Sequence, residues 1–164
     1  MSRTTRWITA SLVLAGALLA TGCSSTVALK PAPDANNPLC ADVMVRLPDG
    51  ISDQDRRWTD AQATAAWGDP TYSVLMSCGV EVPGPSTMQC VTLGGTDWLV
   101  DATDNPWMRM TSYGREPAVQ LYVNNEVISP DTVLEAIGPR MSSIPVTAKC
   151  TAPDVPIDEG GDGA

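Results

Sequence analysis

Four cysteines, Cys40, Cys78, Cys90 and Cys150, are spread over most of the chain, and their redox state decides what the sequence can fold into. The stretch upstream of them bears on that state. Arg3 and Arg6 lead into "ITASLVLAGALLA", Ile8 to Ala20, an uncharged apolar run of thirteen residues. As a helix this run rises about 20 Å at roughly 1.5 Å per residue, short of the ~30 Å hydrocarbon core of a bilayer. A basic start, a short apolar run and small residues behind it make an export signal rather than a mature membrane span.

The leader ends in "LATGC", which resembles the bacterial lipobox. Thr21, Gly22 and Cys23 fit that pattern, and Ala20 stands where leucine is commoner. The resemblance implies that residues 1–22 are a lipoprotein signal peptide and that Cys23 becomes the first residue, acylated on sulfur with palmitate-type chains. Each buried methylene contributes about 0.8 kcal/mol, so two chains hold a membrane stably where one binds marginally. The expected location is therefore the outer face of the cytoplasmic membrane, lipid-anchored. In an oxidising compartment the four other cysteines form two disulfides, and three pairings are open. There is no histidine and no Cys-x-x-Cys, so neither a thioredoxin-like redox site nor a zinc site is expected, and no cofactor is implied.

Composition divides the remainder. Residues 23–39 comprise the lipidated cysteine and "SSTVALKPAPDANNPL", a polar, proline-containing stretch without periodicity that reads as a flexible tether. A coil of that length averages about 20–25 Å end to end, enough to stand the domain off the lipid. Residues 40–150 form a single globular domain, and 151–164, rich in acids, glycine and proline, form a disordered acidic tail. The chain has ten basic residues against nineteen acidic ones, a net charge of −9, and the leader removes Arg3 and Arg6 from the smaller number. Phosphate backbones and anionic headgroups repel such a surface, so no nucleic acid partner is expected.

Within the domain, "CADVMVRL" places Val43, Met44 and Leu47 along one side of a helix that "PDG" ends. "TYSVLMSC" alternates, with Tyr72, Val74, Met76 and Cys78 on one face. "MQCVTL", "TDWLVD", "WMRMTSY" and "AVQLYVN" continue as strands joined by short polar turns, which makes antiparallel hairpins. Ser129 caps a closing helix whose first residue is Pro130 and whose apolar stripe is Val133, Leu134 and Ile137. The expected fold class is α+β: an antiparallel sheet covered on one face by short N- and C-terminal helices, two layers in all. Trp58, Trp67, Trp98 and Trp107 supply the large core or half-core pieces in a chain that has no phenylalanine.

The chemistry is sparse. Without histidine there is no Ser-His-Asp or Cys-His set, and neither Lys30 nor Lys149 stands in a Ser-x-x-Lys arrangement. Asp97 and Asp101, flanking Trp98, are the one carboxylate pair that suits glycoside cleavage, and they carry the alternative reading of a hydrolase acting on envelope glycans. Asp101, Asp104 and Asn105 offer oxygens to calcium without meeting an EF-hand pattern. Arg57 and Arg115 are candidate anion ligands, and Trp67 and Trp98 candidate aromatic platforms. No catalytic residue is assigned. The leading reading is a non-catalytic binding or accessory module whose partners are the membrane, through the anchor, and an envelope protein or cell-wall component.

Several stretches resemble the actinobacterial envelope lipoprotein family grouped as domain of unknown function 3515. They are "CADVMVRLPDGI", "RRW", "AAWGDP", "VLMSCGVEVP", "TDWLV" and "TSYGREPAVQLYV", in order through most of residues 40–125. The resemblance implies an exported or lipid-anchored protein and no established molecular function. Ser77 stands where the family often has arginine, so no ligand role passes to it. Members with only two cysteines keep those matching Cys40 and Cys78, which implies a Cys40–Cys78 disulfide and leaves Cys90 for Cys150.

Overall fold

Eight strands hydrogen-bond into one antiparallel sheet in a computed structural model that describes residues 26–151. They are β1 (Gly50–Ile51), β2 (Gln54–Arg57), β3 (Thr64–Trp67), β4 (Val74–Val80), β5 (Gln89–Leu93), β6 (Thr96–Asp104), β7 (Trp107–Ser112) and β8 (Ala118–Asn124). The spatial order is β1-β2-β3-β4-β8-β7-β6-β5. Two four-stranded meanders thus meet where β4 pairs with β8, from Val74↔Val123 to Val80↔Ala118. Residues 81–88, "EVPGPSTM", carry the chain from the centre of the sheet to its far edge, with prolines that cannot donate to a ladder.

Helix α1 (Pro38–Met44) precedes the sheet and α2 (Pro130–Ile137) follows it, continued by a 3-10 turn over Gly138–Met141. Cys40 and Val43 of α1 and Val133, Leu134 and Ile137 of α2 share one cluster with Val74, Met76 and Cys78 of β4 and Val119, Leu121 and Val123 of β8. Both helices therefore lie against the same face. The alternate residues Ser77, Gln120 and Tyr122 point the other way and are half-buried. This is the two-layer α+β arrangement that the strand alternation and the flanking helices predict.

Disulfides join Cys40 to Cys78 and Cys90 to Cys150, across 38 and 60 residues of chain. The first staples α1 to β4, and the second ties the edge strand β5 to the C-terminal segment. Loops of these lengths each stabilise the fold by about 4 kcal/mol in the chain-entropy account.

The structure departs from sequence expectation in several places. β1, β2 and β3 are strands that alternation does not reveal, because "QDRR" is charged and all four residues of "TAAW" are buried. Tyr72 lies before β4, exposed and in ring contact with Trp107, rather than on the core face. Ser129 occupies the cap position of α2, but its hydroxyl makes no capping bond. At α1 the cap is instead Asn37, whose side chain accepts from the Leu39 amide at 3.0 Å, so this helix starts at Pro38 rather than Cys40.

The largest departure is the stretch read as a tether. From Val27 onward it is laid along the domain. Val27 is buried and bridges Thr59 in parallel, donating to the Trp58 carbonyl at 2.8 Å and accepting from the Asp60 amide at 3.2 Å. The Leu29 amide donates to the Asp60 carboxylate, and the Asp34 amide to the Gly79 carbonyl at 3.0 Å. Composition cannot reveal this, since the segment is ordered by single backbone bonds to partners far along the chain. Residues 1–25 and 152–164, including Cys23, the signal sequence and almost all of the acidic tail, lie outside the described residues.

Gly79 makes the docking feasible. Its φ is +88°, and a Cβ there would run into the backbone of Asp34. Gly79→Ala should displace the N-terminal segment and cost about 2 kcal/mol, read as a lower denaturation midpoint together with new proteolysis between Pro31 and Asp34. Unchanged stability and protease resistance would contradict this role for Gly79.

Candidate functional site

The four side chains singled out as ligand candidates do not come together. Trp67 and Trp98 are fully buried, and their indole N–H groups donate inward to the carbonyls of Pro48 and Leu93, each at 3.2 Å. They are core pieces and present no ring face to a ligand. Arg57, at the end of β2, spends its Nη1 on the carbonyls of Pro70 at 2.6 Å and Gly68 at 3.4 Å.

Arg115 is also turned inward. It is 6% exposed, and its guanidinium donates to three backbone carbonyls: Ile144 at 2.6 Å and Met141 at 3.2 Å from Nη1, and Gly95 at 3.1 Å from Nη2. Burial pushes its pKa down, and the Asp97 carboxylate opposes that shift. The same corner binds the C-terminal segment by other means. Thr147 donates to the Gly114 carbonyl at 2.8 Å, and the Cys150 amide donates to Asp97 at 2.7 Å. Arg115 therefore clamps chain segments together where the sequence offered it as an anion ligand.

The carboxylate pair does not form a hydrolytic site. Asp97 and Asp101 sit four residues apart on one face of β6, which sets their Cα atoms about 13 Å apart at ~3.3 Å per residue. Glycosidase carboxylates lie at most about 9.5 Å apart. Both groups are committed elsewhere: Asp97 accepts from the Thr92 hydroxyl at 2.6 Å and from Cys150. Asp101 accepts from the Thr103 hydroxyl at 2.6 Å and amide at 3.0 Å. Those two bonds, with a smaller contribution from Arg109, hold the Asp101 pKa below the ordinary carboxylate value, opposite to what a general acid needs. Asp104 accepts from the Tyr122 hydroxyl. Among the described residues no group of three or more histidines, cysteines or carboxylates is placed to hold a metal ion.

Two surfaces remain. The first is the open face of the sheet, where β7 presents Trp107 and Arg109 while Met108 and Met110 turn toward the other face. Trp107 stacks on Tyr122 with ring centroids 4.8 Å apart and planes 14° from parallel, and Tyr72 tilts against Trp107 at 6.0 Å. The Arg109 guanidinium lies 5.3 Å from the centre of the Tyr122 ring, and its Nη1 is 3.9 Å from Asp101. The hydrogen bond to Asp104 is the main reason the Tyr122 phenol is held above its ordinary pKa. The result is a shallow aromatic patch edged by one arginine and two carboxylates.

The second is a groove of about 690 Å³ between the end of α1, the end of β2 and the loop into β3. Val45 and Trp58 line it and are 81% and 78% exposed, with Met44 and Ala61 behind them and Asp49 and Arg56 among the polar groups. The exposure of Trp58 departs from its reading as a core or half-core piece. Its neighbours two residues away, Arg56 and Asp60, are both charged, and in an extended segment they share its face. That pattern is the signal that marks it as a surface tryptophan.

The family model described as "Protein of unknown function (DUF3515)" matches residues 6–147. No curated protein and no solved structure matches the chain.

Replacing Arg115 by Met keeps an unbranched apolar stem and leaves the three carbonyls without their donor. The expected loss is about 3 kcal/mol in denaturant unfolding, with Arg115→Lys recovering part of it because an ammonium lacks the planar fork. Wild-type stability in Arg115→Met would overturn the clamp.

Proposed function

We propose that this chain, which belongs to the DUF3515 family, is an exported, lipid-anchored module of the cell envelope that binds another envelope component without transforming it. The observation that carries the binding reading is the open-face patch of Tyr72, Trp107, Tyr122 and Arg109. Half-buried rings held in register by β7 and β8 offer apolar area at little cost in side-chain entropy, and the arginine adds a directional donor. A protein surface or the glycan of a cell-wall component suits such a patch. The hydrolase alternative loses the Asp97–Asp101 pair that carried it.

Cysteine accounting supports the anchor. Of five cysteines, four are engaged in the two disulfides, and Cys23, behind the short apolar leader, is the one left over. Among the described residues no helix is long and apolar enough to cross a membrane. In this reading residues 1–22 are removed, Cys23 carries the acyl chains, and the envelope is of the actinobacterial type.

Photo-crosslinking from position 120, on the same open face beside the patch, tests the proposal in intact envelopes. One reproducible envelope component should be captured, Trp107→Ala should abolish its capture, and Cys23→Ala should release the chain from the membrane fraction. No reproducible capture, or capture indifferent to Trp107→Ala, would refute the binding role.

A further inference from the structure

We propose that the groove holding Trp58 and Val45 is the face by which the domain lies on the headgroup layer of its own membrane. The inference rests on the acylation of Cys23 proposed above. Because the N-terminal segment is docked from Val27, only four residue steps separate Cys23 from a fixed point on the domain. At ~3.3 Å per step that is at most about 13 Å. The domain is thereby held against the lipid rather than standing away from it.

The register decides which face turns down. The parallel bridge between Val27 and Thr59 places Thr26, and with it the direction of the anchor, alongside Trp58. The groove beside that point carries the two most exposed of the large apolar side chains among the described residues. Val127 and Val146, the next in exposure, lie on other segments. Tryptophan prefers headgroup depth, where its ring meets apolar chains and its N–H meets water.

Charge agrees with this orientation. The groove lining holds Arg56 and Arg57 against Asp49, in a chain whose net charge is −9. The Arg56 guanidinium has no hydrogen bond or ion pair among the described residues, and a lipid phosphate gives it one. The acidic remainder of the domain is repelled by anionic headgroups, which turns it outward and leaves the groove facing in. With the anchor already paid into the bilayer, the local concentration of lipid is high and a weak contact is enough to fix orientation. The open-face patch is separate from this groove and stays available to a partner.

The test reconstitutes the native, membrane-extracted chain and its Trp58→Phe variant in vesicles of brominated phosphatidylcholine and phosphatidylglycerol. Trp67 and Trp98 are buried and common to both proteins, so the difference in emission reports Trp58. That difference should fall about twofold in brominated relative to unbrominated vesicles, with iodide in the water no longer quenching it. An acylated Cys23 by intact mass, with Trp58 unquenched by bromine and open to iodide, would overturn the docking and leave the anchor standing. Shielding of Trp58 that appears only on adding envelope proteins would also overturn it, giving the groove to a protein. An unacylated Cys23 would overturn the anchor reading and the docking together.

Discussion

The buried cystine between Cys40 and Cys78 is the joint on which the N-terminal half of the molecule depends. It fixes α1 against β4, the strand at which the two meanders meet, and both of its residues are fully buried. The next residue, Gly79, has no side chain and offers its carbonyl to Asp34, so the chain entering α1 is drawn over the same strand. From there the backbone runs back to Val27 and its bridge with Thr59. The groove around Trp58 lies between the end of α1, which this joint holds in place, and the end of β2 with the loop into β3. Covalent constraint, a missing Cβ and a few backbone hydrogen bonds together decide where the N-terminal segment meets the domain.

The C-terminal half is secured differently. The Cys90–Cys150 disulfide closes the outer edge, and Arg115 does inside what a cluster of apolar contacts does elsewhere. A guanidinium among three carbonyls is stabilised by charge-assisted hydrogen bonds, each stronger than a bond between neutral groups, and these offset its desolvation. This explains why an arginine in a small domain need not signal a ligand. The carbonyls of a tightly turning segment are themselves the anion-like partner.

What could be read from the sequence followed from periodicity. β4 and β8 alternate, α2 carries its apolar stripe at helical spacing, and β5, β6 and β7 are set off by short polar turns, so the larger part of the sheet and its covering helices were legible. The first meander was not, because β1 is two residues long, β2 is charged and β3 is buried throughout. The docked N-terminal segment has no period at all, and its order comes from Trp58, Asp60 and Gly79, which lie tens of residues away. The tryptophans divide on neighbours rather than type: Trp67 and Trp98 sit in runs with apolar residues, whereas Trp58 sits among charges. The aromatic patch became visible only once β7 was paired with β8, since Tyr72, Trp107 and Tyr122 share no sequence pattern.

The proposed lipid anchor, and with it the proposed orientation of the domain, rests on the N-terminal segment being part of the fold. Native-state hydrogen exchange at the amides of Val27 and Asp34 addresses this most directly, since each donates one bond to a distant carbonyl. The account predicts protection at both positions, approaching that of the β4 amides. Exchange at the rate of an unstructured peptide would mean that the segment is a free tether and that the domain has no fixed orientation over the lipid.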